Sequence, residues 1–252
     1  MKRAAISIVS LVLCLATVVT AGSVSNQTAA TSRPVKGSTP FQLAIWPPVQ
    51  ILDKDYEVTG LRLSIPVGQN RSMYGLDLGL LATMTGEKGA PGEVRGIQYA
   101  TGANDVVGNV AGVQIAGMIN KVEGTVAGVQ SAFLVNEVRE AFTGIQIGAF
   151  INIAHKTLKG FQVALFNEQE EETEGLQFGA VNTTGGGFQI GLLNYNRRGV
   201  LPWMALCNFS YRSAAPARAK ENPETALEKE INVTADDLQA GPSKANAREF
   251  DK

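Results

Sequence analysis

The chain has 252 residues, with 23 acidic and 22 basic side chains, a formal net charge of −1, one histidine and two cysteines. That balance leaves no basic face of the kind phosphate-backbone binding needs, so nucleic acid is not an expected partner. One histidine and two cysteines also argue against a structural zinc site, which usually takes four N or S ligands, and no cofactor is expected.

The chain opens with Lys2 and Arg3, followed by the apolar run AAISIVSLVLCLATVVTA up to Ala21. Val19-Thr20-Ala21 offers a cleavage site, so residues 1–21 are predicted to be a secretory signal and the protein to be exported to the periplasm, outer membrane or cell surface. The alternative is an uncleaved membrane anchor. Leu13 ahead of Cys14 argues against lipidation. Cleavage would leave Cys207 as the sole thiol, so packing and strand pairing, rather than a disulfide, must hold the fold.

Residues 22–40 are rich in small and polar residues without a period, and predict a flexible leader. In FQLAIWPPVQIL (41–52), Pro47-Pro48 removes two backbone donors, so this segment reads as an edge strand or a cap. From there a repeat domain is predicted to run over residues 41–212. Its core is a phrase of Gly, apolar, Gln and a small residue ending in Asn, starting at Gly96, Gly112, Gly128, Gly144, Gly160, Gly175 and Gly187. Weaker forms start at Gly60 and Gly75, where Arg62 and Asp77 take the Gln place. Residues 213–252 are charged and Ala/Pro-rich, with too few large apolar side chains to offset their ordering entropy, and predict a mobile tail.

Within a copy, Val113, Ile115 and Ile119 alternate with Gln114, Ala116 and Asn120, the pattern of β-strands, so the fold class is all-β. The segments KVEGTVA, EVREAFT and EQEEETE read as turns and loops. Two assemblies fit. One is a parallel β-solenoid with a copy in each coil, favoured by the recurrent 16-residue spacing and by Gln stacked on Gln. The other is an antiparallel meander curling into a barrel-like sheet. The meander is preferred, because the spacing falls to 12 residues at Gly187, where VNTTGGGFQ suits a tight hairpin. The apolar face is expected to pack inward.

The copies, with the lead-in YGLDLGLL, the closing GGFQIGLLNYN and the final LPWMALCNFSY, resemble the leptospiral-type surface-repeat family of bacterial envelope proteins over about residues 41–211. The resemblance implies export and supplies no catalytic residues. Members of that family tend to stop at the aromatic strand, whereas this chain continues into a polar tail.

Candidate chemistry is sparse. Neither a GxSxG elbow nor an HExxH pair occurs. Gly185–Gly187 reads as a turn, since no Lys-Ser/Thr follows to make a phosphate loop. EQEEETE lacks the ligand spacing of a calcium loop. His155 reads as a loop residue and Cys207 as a core residue. The one repeated polar feature is the row Gln98, Gln114, Gln130, Gln146, Gln162, Gln177 and Gln189. As a surface row it would bind a glycan or a strand edge; as a structural row it forms side-chain ladders, the favoured reading. Asn is expected to mark strand ends, bonding local backbone.

The expected function is that of an exported, non-enzymatic envelope or surface repeat protein with a structural or surface-binding role. Candidate partners are envelope components, a glycan or another protein, with membrane association left open. The alternative is an outer-membrane β-barrel, but the apolar stripe of the Gly112 copy gives roughly 15 Å of height against the ~25 Å band of such barrels.

Overall fold

The computed structural model describes residues 33–47 and 49–210. The expected signal segment and the expected tail lie outside the described residues. Those described form twenty β-strands and no helix. The all-β expectation holds, but the assembly is the parallel solenoid, of about ten turns, rather than the antiparallel meander or barrel.

The register makes the correction. Gly112 lies beside Gly96 on one side and Gly128 on the other, and Gln114 beside Gln98 and Gln130, all in parallel. Neighbouring copies in a meander would run antiparallel and could not keep identical residues side by side along their whole length. The basis for a membrane-spanning barrel falls with the meander, since such barrels are antiparallel sheets closed around a lumen.

Each coil has three runs. In the coil that begins at residue 108, the strand Gly108–Ala116 holds the first two, and the strand Ile119–Val122 the third. The long strand bends at Gly112, where φ is +143°. This bend stops the alternation of faces from carrying across each glycine. Lys159 and Glu174 do not share the face of Phe161 and Leu176; they project from the first run, where they pair with each other at 3.2 Å. The segments from Lys121 and Glu137 were read as loops beginning where the copies end at Asn120 and Asn136, yet Ile119–Val122, Val135–Val138 and Ile151–Ala154 are separate strands that pair in parallel.

The shortened spacing at Gly187 is a truncated coil rather than a hairpin. Gly185–Gly187 lead from the strand Val181–Thr184 directly into the strand Phe188–Asn196, omitting the first run, and Phe188–Asn196 still pairs in parallel with both strands of the coil before it. A true reversal follows it, where Trp203–Phe209 returns antiparallel along Phe188–Asn196. At the other end, the strand Gly37–Trp46 lies parallel to Tyr56–Ser64, and the short strand Val49–Gln50 folds back on it, as expected of a capping segment around Pro47-Pro48. That first strand takes in residues 37–40, which were expected to belong to the leader.

The interior has two compartments. One is apolar: Val94, Val110, Val126, Phe142 and Leu158 from the first runs meet Val106, Val122, Val138 and Ala154 from the third. The other is lined with amides. All seven Gln of the repeat are 0 % exposed, as are Asn104, Asn120, Asn136 and Asn152. The expected arrangement is therefore inverted on the second run. Gln114 and Ala116 point inward, while Val113 and Ile115 point out.

Hydrogen bonding explains why amides can occupy a core. Gln114 Nε2 donates to Gln98 Oε1, Gln130 to Gln114, and so on through Gln189 to Gln177, at 2.6–2.9 Å. Asn104 Nδ2 donates to Asn120 Oδ1, and this second ladder continues to Asn194 at 2.8–3.1 Å. The second donor of each Asn also finds a backbone carbonyl, such as Ile115 for Asn104 and Ser131 for Asn120. A buried amide left unpaired would cost about 1–3 kcal/mol; stacking identical residues in parallel removes that cost at every internal position. The Gln ladder donates toward the N-terminal end and the Asn ladder toward the C-terminal end, so their side-chain dipoles oppose. Asn is thus an interior ladder residue within the third run rather than a strand-end marker.

The Gln ladder has defined ends. At its start, Gln98 Nε2 donates to Asp77 Oδ2 at 2.8 Å, and Asp77 is held by Arg62, whose Nε donates to Oδ1 at 2.8 Å. Both are 0 % exposed, and Arg62 also donates to the Met84 carbonyl and Thr85 Oγ1. At the far end, Asn208 lies opposite Gln189 but donates to the carbonyls of Asn194 and Leu201, leaving Gln189 Oε1 unbonded.

Candidate functional site: an apolar outer face

The three runs present different chemistry outward. The first carries polar and charged side chains, among them Arg95, which pairs with Glu93 at 2.8 Å, and Lys159. The third carries a lattice of ion pairs running from coil to coil. Arg139 lies 3.8 Å from Glu123 and 3.6 Å from Glu137, and His155 lies 3.4 Å from Glu137 and 3.1 Å from Glu170.

The histidine, expected in a loop, does follow directly on the strand Ile151–Ala154. The hydrogen bond to Glu137 raises its pKa against a lowering by burial, with Glu170 adding to the rise. Burial alone would raise Glu137, but His155, Arg139 and Lys121 outweigh it and hold that carboxyl low. A raised His155 pKa stabilises the fold fully below the unfolded value of about 6.5, and the contribution is lost as pH rises through the folded value. The lowered Glu137 pKa contributes above the ordinary carboxylate range and is lost on acidification through its folded value. The pair therefore contributes most between those limits. Because the site is partly exposed, the expected size is no more than about 1 kcal/mol. Thermal melts of His155→Gln against wild type should differ at pH 5.5–6 and converge in mildly alkaline buffer; a difference independent of pH would contradict the assignment.

The second run is apolar on its outward side except at Ser131. Its outward positions form two rows across the stack. One passes through Leu76, Ile97, Val113, Val129, Ile145 and Phe161, the other through Leu78, Tyr99, Ile115, Ser131, Ile147 and Val163. Ser131 is the one hydroxyl-bearing aliphatic side chain among these. The adjoining corner adds Leu81, Met118, Phe133, Phe150 and Leu165, and Phe133 meets Phe150 edge-on at 5.4 Å. These side chains are open to solvent: Phe161 is 51 % exposed, Phe178 53 % and Phe133 59 %.

The strands that build this face, from Gly37–Trp46 to Trp203–Phe209, number eleven. At ~4.8 Å between strands and ~3.3 Å per residue, it measures about 48 Å by 16 Å, or about 770 Å². The largest apolar patch of an ordinary monomer is about 300–600 Å², and larger ones mark interaction sites.

The sequence-predicted row of Gln98, Gln114, Gln130, Gln146, Gln162, Gln177 and Gln189 is brought together, but inside the coil, so it is not a surface row. It supports the face from behind: each Gln locks the strand whose neighbouring side chains point outward. Cys207, expected in the core, is exposed on the terminal antiparallel strand, beside Ile190 on this same face. The EQEEETE segment, expected as one loop, is largely strand, in Phe166–Gln169 and Glu172–Phe178.

A small polar recess near the N-terminal end is lined by Lys54, Asp55, Asn70 and Glu87, with Lys54 paired to Glu87. It has room for about one water. Among the described residues, no three His, Cys, Asp or Glu side chains converge as a metal site would require. Compared with protein-family models, curated proteins and solved structures, the chain matches none.

Proposed function

We propose that the protein is an exported, non-enzymatic envelope protein whose solenoid serves a structural, surface-binding role. The observation that carries this reading is the apolar face running the length of the stack, backed by an interior filled with side chains. The parallel coils with their internal ladders form a stiff frame, and the outer side of their second runs is broad and apolar, suited to another large surface rather than a small substrate. The basic, then apolar N-terminal sequence supports export.

Expression of the full chain in a bacterium with an outer membrane, followed by fractionation and N-terminal sequencing, tests the address. The expected result is protein in the periplasm or envelope beginning at Gly22. Cytoplasmic protein that keeps residues 1–21 would overturn the proposal.

A further inference from the structure

We infer that the apolar face pairs with the same face of a second copy of this chain, about a twofold axis that runs along the strand direction between the coils of Val113 and Val129. The inference rests on the reading of this face as a binding surface and names its partner.

Area is the first argument. The stated axis sets ten of the eleven strands of each copy face to face, about 43 Å by 16 Å or about 690 Å² per copy, which would bury about 1,400 Å² in total, within the ~1,200–2,000 Å² of stable interfaces. Flat sheets with apolar faces stack about 10 Å apart with their strands nearly aligned, which is the relation such an axis produces.

The order of side-chain sizes is the second. Across the stack, the row just after the corner glycines has its two smallest side chains side by side near its middle. Val113 neighbours Val129, and Ile97 and Ile145 flank them; beyond these the two sides differ, with Leu76 on one and Phe161 on the other, and Phe41 and Phe209 end the row. Ser131, the smallest side chain of the adjacent row, lies in the same central coil as Val129. Rotation about the stated axis sets Val113 of one copy against Val129 of the other and Ile97 against Ile145. The same rotation leaves residue i of one copy facing residue j of the other and the reverse, as in any twofold contact between like faces.

Charge is the third. The runs bordering the face carry both signs in pairs, Arg95 with Glu93 and Lys159 with Glu174. They do not supply the Lys/Arg excess with which an amphipathic surface is drawn to anionic lipid.

Sedimentation velocity on the protein as recovered after expression, without detergent, reads the oligomeric state. The wild type should sediment as a dimer, at twice the mass of the recovered chain. Val113→Lys and Val129→Glu should each weaken dimerisation at least about a hundredfold, because each buries unpaired charges in an apolar interface. Mixed in equal amounts, the two variants should dimerise again, since the new ammonium of one copy would then face the new carboxylate of the other. A monomeric wild type or a mixture that stays monomeric would overturn the inference. So would a wild-type monomer that floats with neutral phosphatidylcholine vesicles, which would give the face to lipid. These readouts use purified protein, so failure here and failure of export in cells are separate results.

Discussion

Replacing Asp77 with alanine should lower stability by about 3–5 kcal/mol, the range found when one member of a buried ion pair is removed. Arg62 and Asp77 are both 0 % exposed, and Arg62 reaches Asp77 through two nitrogens. Without the carboxylate, the guanidinium keeps only the Met84 carbonyl and Thr85 Oγ1 in a site closed to water. The damage spreads one coil further, because Asp77 also accepts from Gln98, the first member of the Gln ladder. Replacing both charges with apolar residues, as in Arg62→Met with Asp77→Leu, should recover most of the loss, since well-packed apolar pairs are often as stable as the ion pair they replace. Denaturant titration followed by circular dichroism measures both variants. An Asp77→Ala midpoint equal to that of wild type would show that the ladder does not depend on its charged start.

The second large effect belongs to Gly128. Its φ is +140°, and a Cβ built on it would lie 2.0 Å from the carbonyl oxygen of Gly112 in the preceding coil. The obstacle is backbone, so no side chain can rotate aside. Alanine there must either leave the glycine-favoured region or push two coils apart and break the parallel pairing of Val110–Ala116 with Val126–Ala132. Adding strain of about 1–3 kcal/mol to overpacking of similar size gives an expected loss of about 4 kcal/mol. Ala127, one residue earlier, is exposed, and its change to serine should stay within about 0.5 kcal/mol. Comparable melting temperatures for Gly128→Ala and Ala127→Ser would contradict the close stacking of the corner glycines.

Much of this architecture is legible in the sequence. The recurrent glycine gives the period, and the alternation of Val113 and Ile115 with Gln114 and Ala116 divides the two faces correctly. What misleads is the rule that assigns the apolar face to the core. It describes average burial, and it is overridden where stacked carboxamides satisfy one another. A signal for the inversion was present. Asn follows Gln by six residues in the copies of Gln98, Gln114, Gln130 and Gln146, and by five in those of Gln162, Gln177 and Gln189. Two amides at a nearly fixed offset in every copy suit two internal ladders better than a strand end. The third runs were only half legible, because Lys121, Glu137 and Glu168 face outward from strands of only four residues, and their second halves look like polar loops. The 12-residue spacing suggested a hairpin because sequence alone does not reveal that a coil can drop one of three runs and still pair through the other two.

The apolar face was the harder feature to read. Its residues were visible, but they were assigned to the interior, so the property that most invites a partner could not be recognised as surface. The buried amides and the exposed apolar rows have one cause: the second run turns its Gln and small residues inward, which leaves its large apolar residues no place but outside.

Hydrogen exchange of side-chain carboxamide protons, followed by nuclear magnetic resonance on the intact protein, tests this inversion most directly. It probes the amides themselves and does not depend on whether the outer face is covered. The Nε2 protons of Gln114, Gln130, Gln146 and Gln162 and the Nδ2 protons of Asn120, Asn136 and Asn152 should exchange far more slowly than those of exposed amides. Exchange of the Gln row at the rate of free glutamine would place it at the surface and contradict the amide-cored solenoid.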